Sequence, residues 1–423
     1  MTDAYEDIRR RVVAAIDERK LDVHVDRSAV RALVVEAVED YQRSVQLGQS
    51  RPLADPAAMV DRVLRSVADL GPLTSLLSRH DIEEVFIEGG RVTYLDASGR
   101  LRAIDEPTSE RENRQVLDRL LAEADRRLDA SSPMVQARVL GESARLTAVI
   151  PPVSDRLSAT IRRYALRRET LETMVERSAL SAEAARFLWA VMQATTSVVV
   201  SGPPGAGKTS LLSALIGAVP ASHCVRCCEE VRELHVPLVH GSFYEARPPA
   251  LDGTGEISLR DLVKLVLAMR PDRIVVGEVR GAEAFELTRA VNAGCGFACT
   301  VHANSAPDAL DALVNAALMA GENVTESVVR KVFASAIDFV VHLDRDAAGD
   351  GPIRRRVMEI LAVVPSLRDD FSTQPIFVRE HLGAPLEWTG ALPPQPVTDR
   401  IERAIDDGPG LRAILGGHRE GVA

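Results

Sequence analysis

The sequence has no segment that would export the chain or anchor it in a membrane. Its first residues, Met1 to Asp7, are acidic and polar, and they lack the positive start and apolar run of a secretory signal. Nowhere do about 18 apolar residues follow one another, as a membrane-spanning helix requires. We therefore expect a cytoplasmic protein that reaches the inner membrane only through partner proteins.

Aromatic residues and positive charge are both scarce. Phe, Trp and Tyr make up 4% of the chain, and 51 Lys and Arg residues stand against 61 Asp and Glu residues, a formal net charge of -10. Proteins that bind single-stranded nucleic acid use basic grooves interleaved with aromatic side chains. The composition argues against direct nucleic-acid binding and leaves room only for a local basic patch.

Cysteine is rare, and the count of five is odd, which favours reduced thiols over disulfides. Cys224 and Cys227 have the spacing of half a zinc site, whose other half could only come from Cys295 and Cys299. Small buried apolar side chains are the simpler interpretation of these residues.

The 423 residues suffice for two or three domains with full cores. Gly71-Pro72 is a helix stop, and Gly89-Gly90 separates two β-rich runs as in a hairpin. After about residue 181, strands and helices alternate, which predicts a parallel α/β sheet. The predicted divisions are a helical extension (1–66), a small α+β domain (67–165), a linker (166–180), a larger α/β domain (181–345) and a less regular C-terminal segment (346–423).

A phosphate-binding loop opens the larger domain. The motif Gly-Pro-Pro-Gly-Ala-Gly-Lys-Thr follows an apolar run and precedes a predicted helix, so backbone amides and the helix dipole can receive phosphate. Lys208 is expected to reach the β- and γ-phosphates of ATP, and Thr209 to ligate Mg²⁺. The predicted phosphate-binding residues of the loop are Gly202, Gly205, Ala206, Gly207, Lys208, Thr209 and Ser210.

Three further groups of polar residues follow apolar runs. Glu278 stands where an ATPase places the carboxylate that holds Mg²⁺ through water or polarises the attacking water. A carboxylate among Glu229, Glu230 and Glu233 could orient that water, and His302 could sense the γ-phosphate. The ordinary alternatives are a solvated acidic turn, a charged turn and a hydrogen-bonded structural histidine.

The order of these segments resembles the secretion and pilus-assembly ATPases of bacterial type II and type IV systems, most strongly the branch that serves tight-adherence (Tad/Flp) pili. The resemblance extends from Leu70 to about Glu380. The blocks that carry it are Leu70-Gly71-Pro72-Leu73, Ser132 to Arg138, Ile150-Pro151-Pro152, Thr160 to Arg163, Glu229 to Leu234, Arg247-Pro248-Pro249, Gly253 to Glu256, Met269 to Gly281 and Thr300 to Ser305.

This resemblance implies a RecA-like ATPase domain preceded by a smaller α/β domain, assembled as a homo-hexameric ring with ATP and Mg²⁺ bound between the domains. It also implies roles for individual residues: Glu229 and Glu233 as the acidic box, Glu278 as the Walker B glutamate, His302 as the histidine-box residue, and Arg145 and Arg162 as phosphate contacts. Surface charge is the alternative for the two arginines.

The chain departs from the family pattern at the histidine box. Gly294-Cys295-Gly296 stands where relatives usually carry Gly-His, and the arginine that often follows the box is absent around Pro307. Within the loop, Pro203, Pro204 and Ala206 replace the usual small or hydroxyl-bearing residues. Because a P-loop binds phosphate mostly through its backbone, we expect nucleotide binding to survive these changes.

The predicted function is an ATP-hydrolysing motor that powers pilus assembly or protein secretion through an inner-membrane platform. Two alternatives within the same family are a type IV secretion channel ATPase and a nucleotide-binding assembly subunit with weak hydrolysis. A nucleic-acid motor is the third, because RecA-like domains also drive helicases, although the composition speaks against it.

Overall fold

The computed structural model divides the chain into two compact units, Met1–Ala165 and Leu166–Ala423. It describes residues 2–23, 25–79, 81–96, 100–141, 143–163, 169–234, 236–247, 249, 254–321, 325–346, 353–364, 371–405 and 410–416. Pro248 and Gly253, which belong to the blocks of the resemblance, lie outside these residues.

Three helices open the first unit: α1 (Thr2–Arg19), α2 (Arg27–Gln46) and α3 (Pro56–Ala68). Apolar residues at helical spacing, such as Ile8, Val12 and Val34, bury one stripe of each helix in a shared core. The chain leaves α3 through a 3-10 turn at Gly71–Leu73, which confirms the predicted helix stop.

A six-stranded antiparallel sheet forms the rest of this unit. Its strands are β1 (Ile82–Glu88), β2 (Arg91–Asp96), β3 (Leu101–Ala103), β4 (Met134–Val139), β5 (Ala144–Val149) and β6 (Ser158–Arg163), in the order β3-β2-β1-β6-β5-β4. The short helix α4 (Thr74–Ser78) precedes the sheet, and α5 (Glu110–Glu123) packs Val116, Leu117 and Leu120 into its core. The predicted hairpin is confirmed, with Gly89 at φ 57° in the turn.

The second unit is a nine-stranded sheet with helices on both faces. Its helices are α6 (Leu171–Glu176), α7 (Ala182–Gln193), α8 (Lys208–Gly217), α9 (Leu259–Leu267), α10 (Glu283–Asn292), α11 (Ala306–Leu318), α12 (Glu326–Ala336), α13 (Gln395–Ala404) and α14 (Leu411–Gly416). Its strands are β7 (Val198–Gly202), β8 (Val225–Glu229), β9 (Gly241–Glu245), β10 (Arg273–Val276), β11 (Gly296–His302), β12 (Phe339–Arg345), β13 (Arg355–Val364), β14 (Ser372–Val378) and β15 (Glu387–Trp388).

The strand order is β15-β14-β13-β12-β7-β11-β10-β8-β9, and the six strands from β12 to β9 are parallel. One apolar core, on the α7 and α8 face, includes Val198 and Leu211; a second, on the α9 to α12 face, includes Val199 and Leu313. Because both faces are covered, the strands read as continuous apolar runs. The predicted α/β fold with a RecA-like domain is confirmed.

The expectation of a less regular chain after Asp344 is wrong. Residues of that segment form β13, β14 and β15, which extend the large sheet in antiparallel fashion beyond β12. Their apolar side chains, including Ile360 and Phe377, complete the core that α7 and α8 also enter. The proline and glycine content of the segment hid this regularity, because residues such as Gly383 and Pro385 lie between β14 and β15 rather than within them.

Four of the five cysteines, Cys227, Cys228, Cys295 and Cys299, are buried as the simpler interpretation held, and Cys224 is half-buried. Cys227 and Cys228 lie on β8 and Cys299 on β11, and burial raises the pKa of each thiol, that of Cys228 to about 12. Among the described residues, no group of three or more His, Cys, Asp or Glu side chains has an arrangement that could hold a metal.

In the ranges that the structure describes, no helix combines the length and the apolar character needed to cross a membrane.

Candidate functional site

The P-loop connects β7 to α8 in a conformation that depends on glycine. Gly205 and Gly207 have φ values of 74° and 94°, in the left-handed region that side chains disfavour. A Cβ atom on Gly202 would lie 2.4 Å from the carbonyl oxygen of Leu343, so this position also excludes a side chain. The loop thus lies close against β12 and ends at the N-terminus of α8, where backbone amides bind anions.

Lys208 is folded back onto the loop. Its Nζ donates hydrogen bonds to the carbonyl oxygens of Gly202 and Pro203, at 3.0 and 3.1 Å. The same atom lies 3.0 Å from Nδ1 of His302, at the end of β11. Only 8% of the residue is exposed, so the ammonium group is stabilised by these acceptors rather than by bulk water.

His302 links the lysine to Glu278. Its Nε2 lies 2.5 Å from Oε1 of Glu278, and the other carboxylate oxygen accepts a hydrogen bond of 2.5 Å from Arg280. Burial, and then the charge of Lys208, lower the pKa of His302, which favours the neutral imidazole. We assign the proton to Nε2, because Nδ1 accepts the hydrogen bond from Lys208, and this leaves the proton on the nitrogen nearer to the Glu278 carboxylate.

The strand register brings these side chains together. His302 pairs with Gly202 across β11 and β7, and parallel strands end at the same edge of the sheet. Just beyond β10, the Thr300 hydroxyl donates to the carbonyl oxygen of Gly277 at 2.6 Å, and Val279 N donates to the carbonyl oxygen of Thr300 at 2.8 Å. These two bonds fix the loop that carries Glu278 beside β11.

Glu229 is buried beneath this loop and is 3% exposed. Its Oε1 accepts hydrogen bonds from the backbone amides of Glu233 and Leu234, at 3.0 and 3.2 Å. A Cβ atom on Gly277 would lie 2.7 Å from Cγ of Glu229, so the side chain supports the residue that precedes Glu278. This geometry suits a residue that positions the site; the predicted acidic-box roles of Glu229 and Glu233 stay predictions.

The protonated Glu229 carboxyl should make the folded protein less stable as the pH rises. Burial raises the pKa of this carboxyl from 4.5 to about 7, so the folded state holds its proton after the unfolded chain has lost it. The stabilisation is complete below about pH 4.5 and is lost as pH rises through 7; it is worth up to about 3 kcal/mol. Glu229→Gln should remove this part of the pH dependence, measured as the change in unfolding midpoint between pH 5.5 and pH 8. The same change in wild type and variant would contradict the assignment.

Arg145 and Arg162 lie on neighbouring strands of the first unit. They are direct cross-strand partners on β5 and β6, and Arg138 on β4 is the partner of Arg145 on its other side. Because direct partners share one face of a sheet, the three guanidinium groups form a row. At its end, Nε of Arg162 lies 3.6 Å from Oε1 of Glu84. The predicted contact of Arg145 and Arg162 with phosphate stays a prediction.

Sequence reasoning missed several polar side chains at the P-loop. Arg280 could have been found, since it follows Glu278 by two residues. His342, whose Nδ1 lies 2.9 Å from the Ser201 hydroxyl, and Arg345, beside Gly205, are more than 130 residues away in the chain. No local motif marks either of them, and only the pairing of β12 with β7 brings them to the site.

The residues present suit ATP with Mg²⁺. The positive φ values of Gly205 and Gly207 form a cradle for phosphate, and Lys208 supplies a cation at its base. Thr209 and Glu278 offer the oxygen ligands that Mg²⁺ prefers, directly or through water. The same set of groups can bind a nucleoside triphosphate and orient a water molecule for attack on its γ-phosphate.

Residues 67–349 match the family described as type II/IV secretion system protein. The chain is similar to a putative conjugal transfer protein of Mycobacterium tuberculosis, with 36% identity over 310 residues, 71% of this chain and 86% of that protein. It is also similar to the PtlH homolog of the Bordetella bronchiseptica type IV secretion system, with 33% identity over 328 residues, 67% of this chain and 91% of that protein.

A comparison with solved structures finds similarity to the VirB11 ATPase of the Brucella suis type IV secretion system, which was crystallised with sulphate. The sequence identity is 24%, the alignment covers 69% of this chain and 95% of that chain, and the TM-score is 0.37.

Proposed function

We propose that this chain, which belongs to the type II/IV secretion system protein family and is an ATPase, works as a motor that powers pilus assembly or protein secretion. The observation that carries the proposal is the line of contacts from Lys208 through His302 to Glu278 at the carboxyl edge of the sheet. This line joins the phosphate-binding loop to the carboxylate suited to activate water, so occupation of one can alter the other.

Phosphate binding would change the partners of Lys208. In the present arrangement its ammonium group bonds to two neutral carbonyl oxygens and an imidazole nitrogen. Anionic phosphate oxygens attract the ammonium group more strongly than neutral carbonyl oxygens do, because opposite charges add a Coulomb attraction to the hydrogen bond. Nδ1 of His302 would then lose its donor, and the imidazole would be able to turn between Glu278 and the phosphate.

Glu278 would orient the attacking water. Its Oε2 accepts a hydrogen bond from Arg280, which holds the carboxylate in one orientation while the nucleotide binds. Mg²⁺, when bound by Thr209 and by Glu278 through water, would neutralise charge on the phosphates. Release of the products would return Lys208 and His302 to the arrangement described here.

The assembled state is inferred from the family resemblance. We infer a homo-hexamer in which Arg145 and Arg162 contact phosphate and the ring engages an inner-membrane platform from the cytoplasmic side. The row of guanidinium groups on β4, β5 and β6 supports this role, because arginine binds phosphate in a bidentate manner. Sedimentation of the full chain with Mg²⁺ and ATP tests the hexamer.

The machine that the motor serves has two candidates. The branch-specific blocks around Met269 to Gly281 favour a tight-adherence pilus. The similarity to a putative conjugal transfer protein and to a type IV secretion protein favours a secretion channel. Both candidates need the same ATPase site and differ in cargo.

Replacement of the gene by a Lys208→Ala copy in the source organism distinguishes them. Loss of surface pili, with secretion unchanged, is the result expected of a pilus motor. Loss of secreted protein or of plasmid transfer, with pili intact, favours the secretion channel. Unchanged pili, secretion and transfer, despite normal amounts of the variant protein, would contradict the motor function itself.

A further inference from the structure

β12 lies directly against the P-loop. It pairs in parallel with β7, and His342 is the partner of Ser201. The chain beyond His342 therefore continues beside the loop that begins at Gly202. The 2.4 Å distance between a Cβ atom on Gly202 and the carbonyl oxygen of Leu343 shows how closely the two backbones approach.

Arg345 points towards this loop from the end of β12. Side chains alternate along a strand, so Leu343 and Arg345 share one face. Leu343 packs in the core that includes Ala206 and Leu211, which places this face on the side of the P-loop and α8. A Cβ atom on Gly205 would lie 3.1 Å from Nη1 of Arg345 and 3.4 Å from its Cζ. The charged end of Arg345, not only its stem, is therefore beside the loop.

A second arginine stands next to it. Arg355 on β13 is the cross-strand partner of Arg345, and its Cδ would lie 3.8 Å from a Cβ atom on Gly207. Two arginines of one hairpin thus flank the two glycines whose positive φ values form the phosphate cradle. The two arginines place positive charge on the β12 side of the P-loop. His302 is on the opposite side, because β12 and β11 lie on either side of β7.

A purely structural arginine in this unit has different surroundings. Arg273 is fully buried and donates two hydrogen bonds of 2.5 Å to the carbonyl oxygens of Thr196 and Ala194, so its guanidinium group ties backbone segments together. Arg345 is half-buried and its guanidinium group lies over Gly205, where backbone amides rather than carbonyl oxygens are expected to bind phosphate.

We propose that Arg345 is a further nucleotide-binding residue, which binds a phosphate group of ATP or ADP from the β12 side of the P-loop. The planar guanidinium fork can donate two hydrogen bonds to one phosphate group, which a lysine cannot. The proposal rests on the ATPase function, and it adds a contact from the same unit that holds the P-loop. Arg145 and Arg162, for which a phosphate contact is also proposed, belong to the other unit.

The test is the affinity of the full chain for ADP. Arg345→Ala and Arg345→Gln should each weaken ADP binding by about ten- to a hundredfold, because each removes a hydrogen-bonded charge pair. Arg345→Lys should weaken binding less, because it keeps the positive charge. The matched control is Arg354→Ala: this arginine is on the same hairpin, its side chain is 54% exposed, and it bonds to Asp346 at 2.8 Å. Arg354→Ala should bind ADP as wild type does.

Thermal unfolding without nucleotide separates binding from structure. If Arg345 serves only the fold, its variants lower the unfolding midpoint and bind ADP within about twofold of wild type, and the proposal is wrong. If Arg345→Ala does not fold, the Gln and Lys variants decide by the same criterion. A wild-type chain that binds no ADP would overturn the ATPase function as well, whereas wild-type binding with unaffected Arg345 variants would overturn this proposal alone.

Discussion

Replacing Lys208 with alanine is expected to abolish measurable ATP hydrolysis. The ammonium group is the cation that the structure places at the base of the P-loop, within 3.1 Å of two loop carbonyl oxygens and of His302. Without it, the transferring phosphate loses its contact with the cation at the base of the loop, and loss of one such electrostatic contact costs about a hundred- to a thousandfold in rate. Phosphate release with Mg²⁺ and saturating ATP measures the effect.

Lys264→Ala is the matched control for this substitution. Lys264 lies on α9, its side chain is 43% exposed, and its ion pair with Glu286 is long, at 3.9 Å. The buried Glu286 keeps its closer pairs with Arg260 at 2.9 Å and Arg289 at 3.1 Å, so the control should fold and hydrolyse ATP at the wild-type rate. Equal rates for Lys208→Ala and Lys264→Ala would show that hydrolysis does not occur at the P-loop.

Glu278→Gln should stop hydrolysis and leave ATP binding intact. Glutamine keeps the size of the side chain and can still accept a hydrogen bond from Arg280, but it cannot take a proton from water. Loss of a general base costs about a hundred- to ten-thousandfold in rate. Because Lys208 and the loop backbone are unchanged, the affinity for ATP should remain within a few-fold of wild type. Equilibrium binding and phosphate release, measured on the same preparation, separate the two effects.

Glu326→Gln controls for the loss of a carboxylate as such. Glu326 begins α12, its side chain is 59% exposed, and its carboxylate pairs with Arg330. A wild-type rate is expected for this variant. Should Glu278→Gln also hydrolyse ATP at the wild-type rate, the water-activating group must be another residue, and the predicted role of Glu278 would be abandoned.

The parts of the site that could be predicted are those marked by local sequence. The P-loop has a fixed spacing, and Glu278 and His302 each follow a short apolar run that could be recognised as a strand. Parallel strands end at one edge, so their meeting follows from the fold class. The contact between His302 and Lys208 needed the structure, because it depends on the register of β11 against β7.

The C-terminal segment shows what sequence alone could not provide. Nothing near Arg345 indicates that it returns to the P-loop, since it is 136 positions after Thr209 and the pairing of β12 with β7 is non-local. Glu229 is similar: its position after a strand suggested catalysis, whereas its burial and its bonds to two backbone amides depend on how the loop to Leu234 folds. Both depend on packing between distant segments.

The most direct test of the central claim is the identity of the nucleotide that the full chain retains after incubation with radiolabelled ATP and Mg²⁺ and rapid removal of unbound ligand. The site described here predicts ADP on the wild-type protein, intact ATP on Glu278→Gln and little nucleotide on Lys208→Ala. Intact ATP on the wild type, or ADP in equal amounts on all three proteins, would contradict an ATPase site in which Lys208 binds the phosphates and Glu278 activates water.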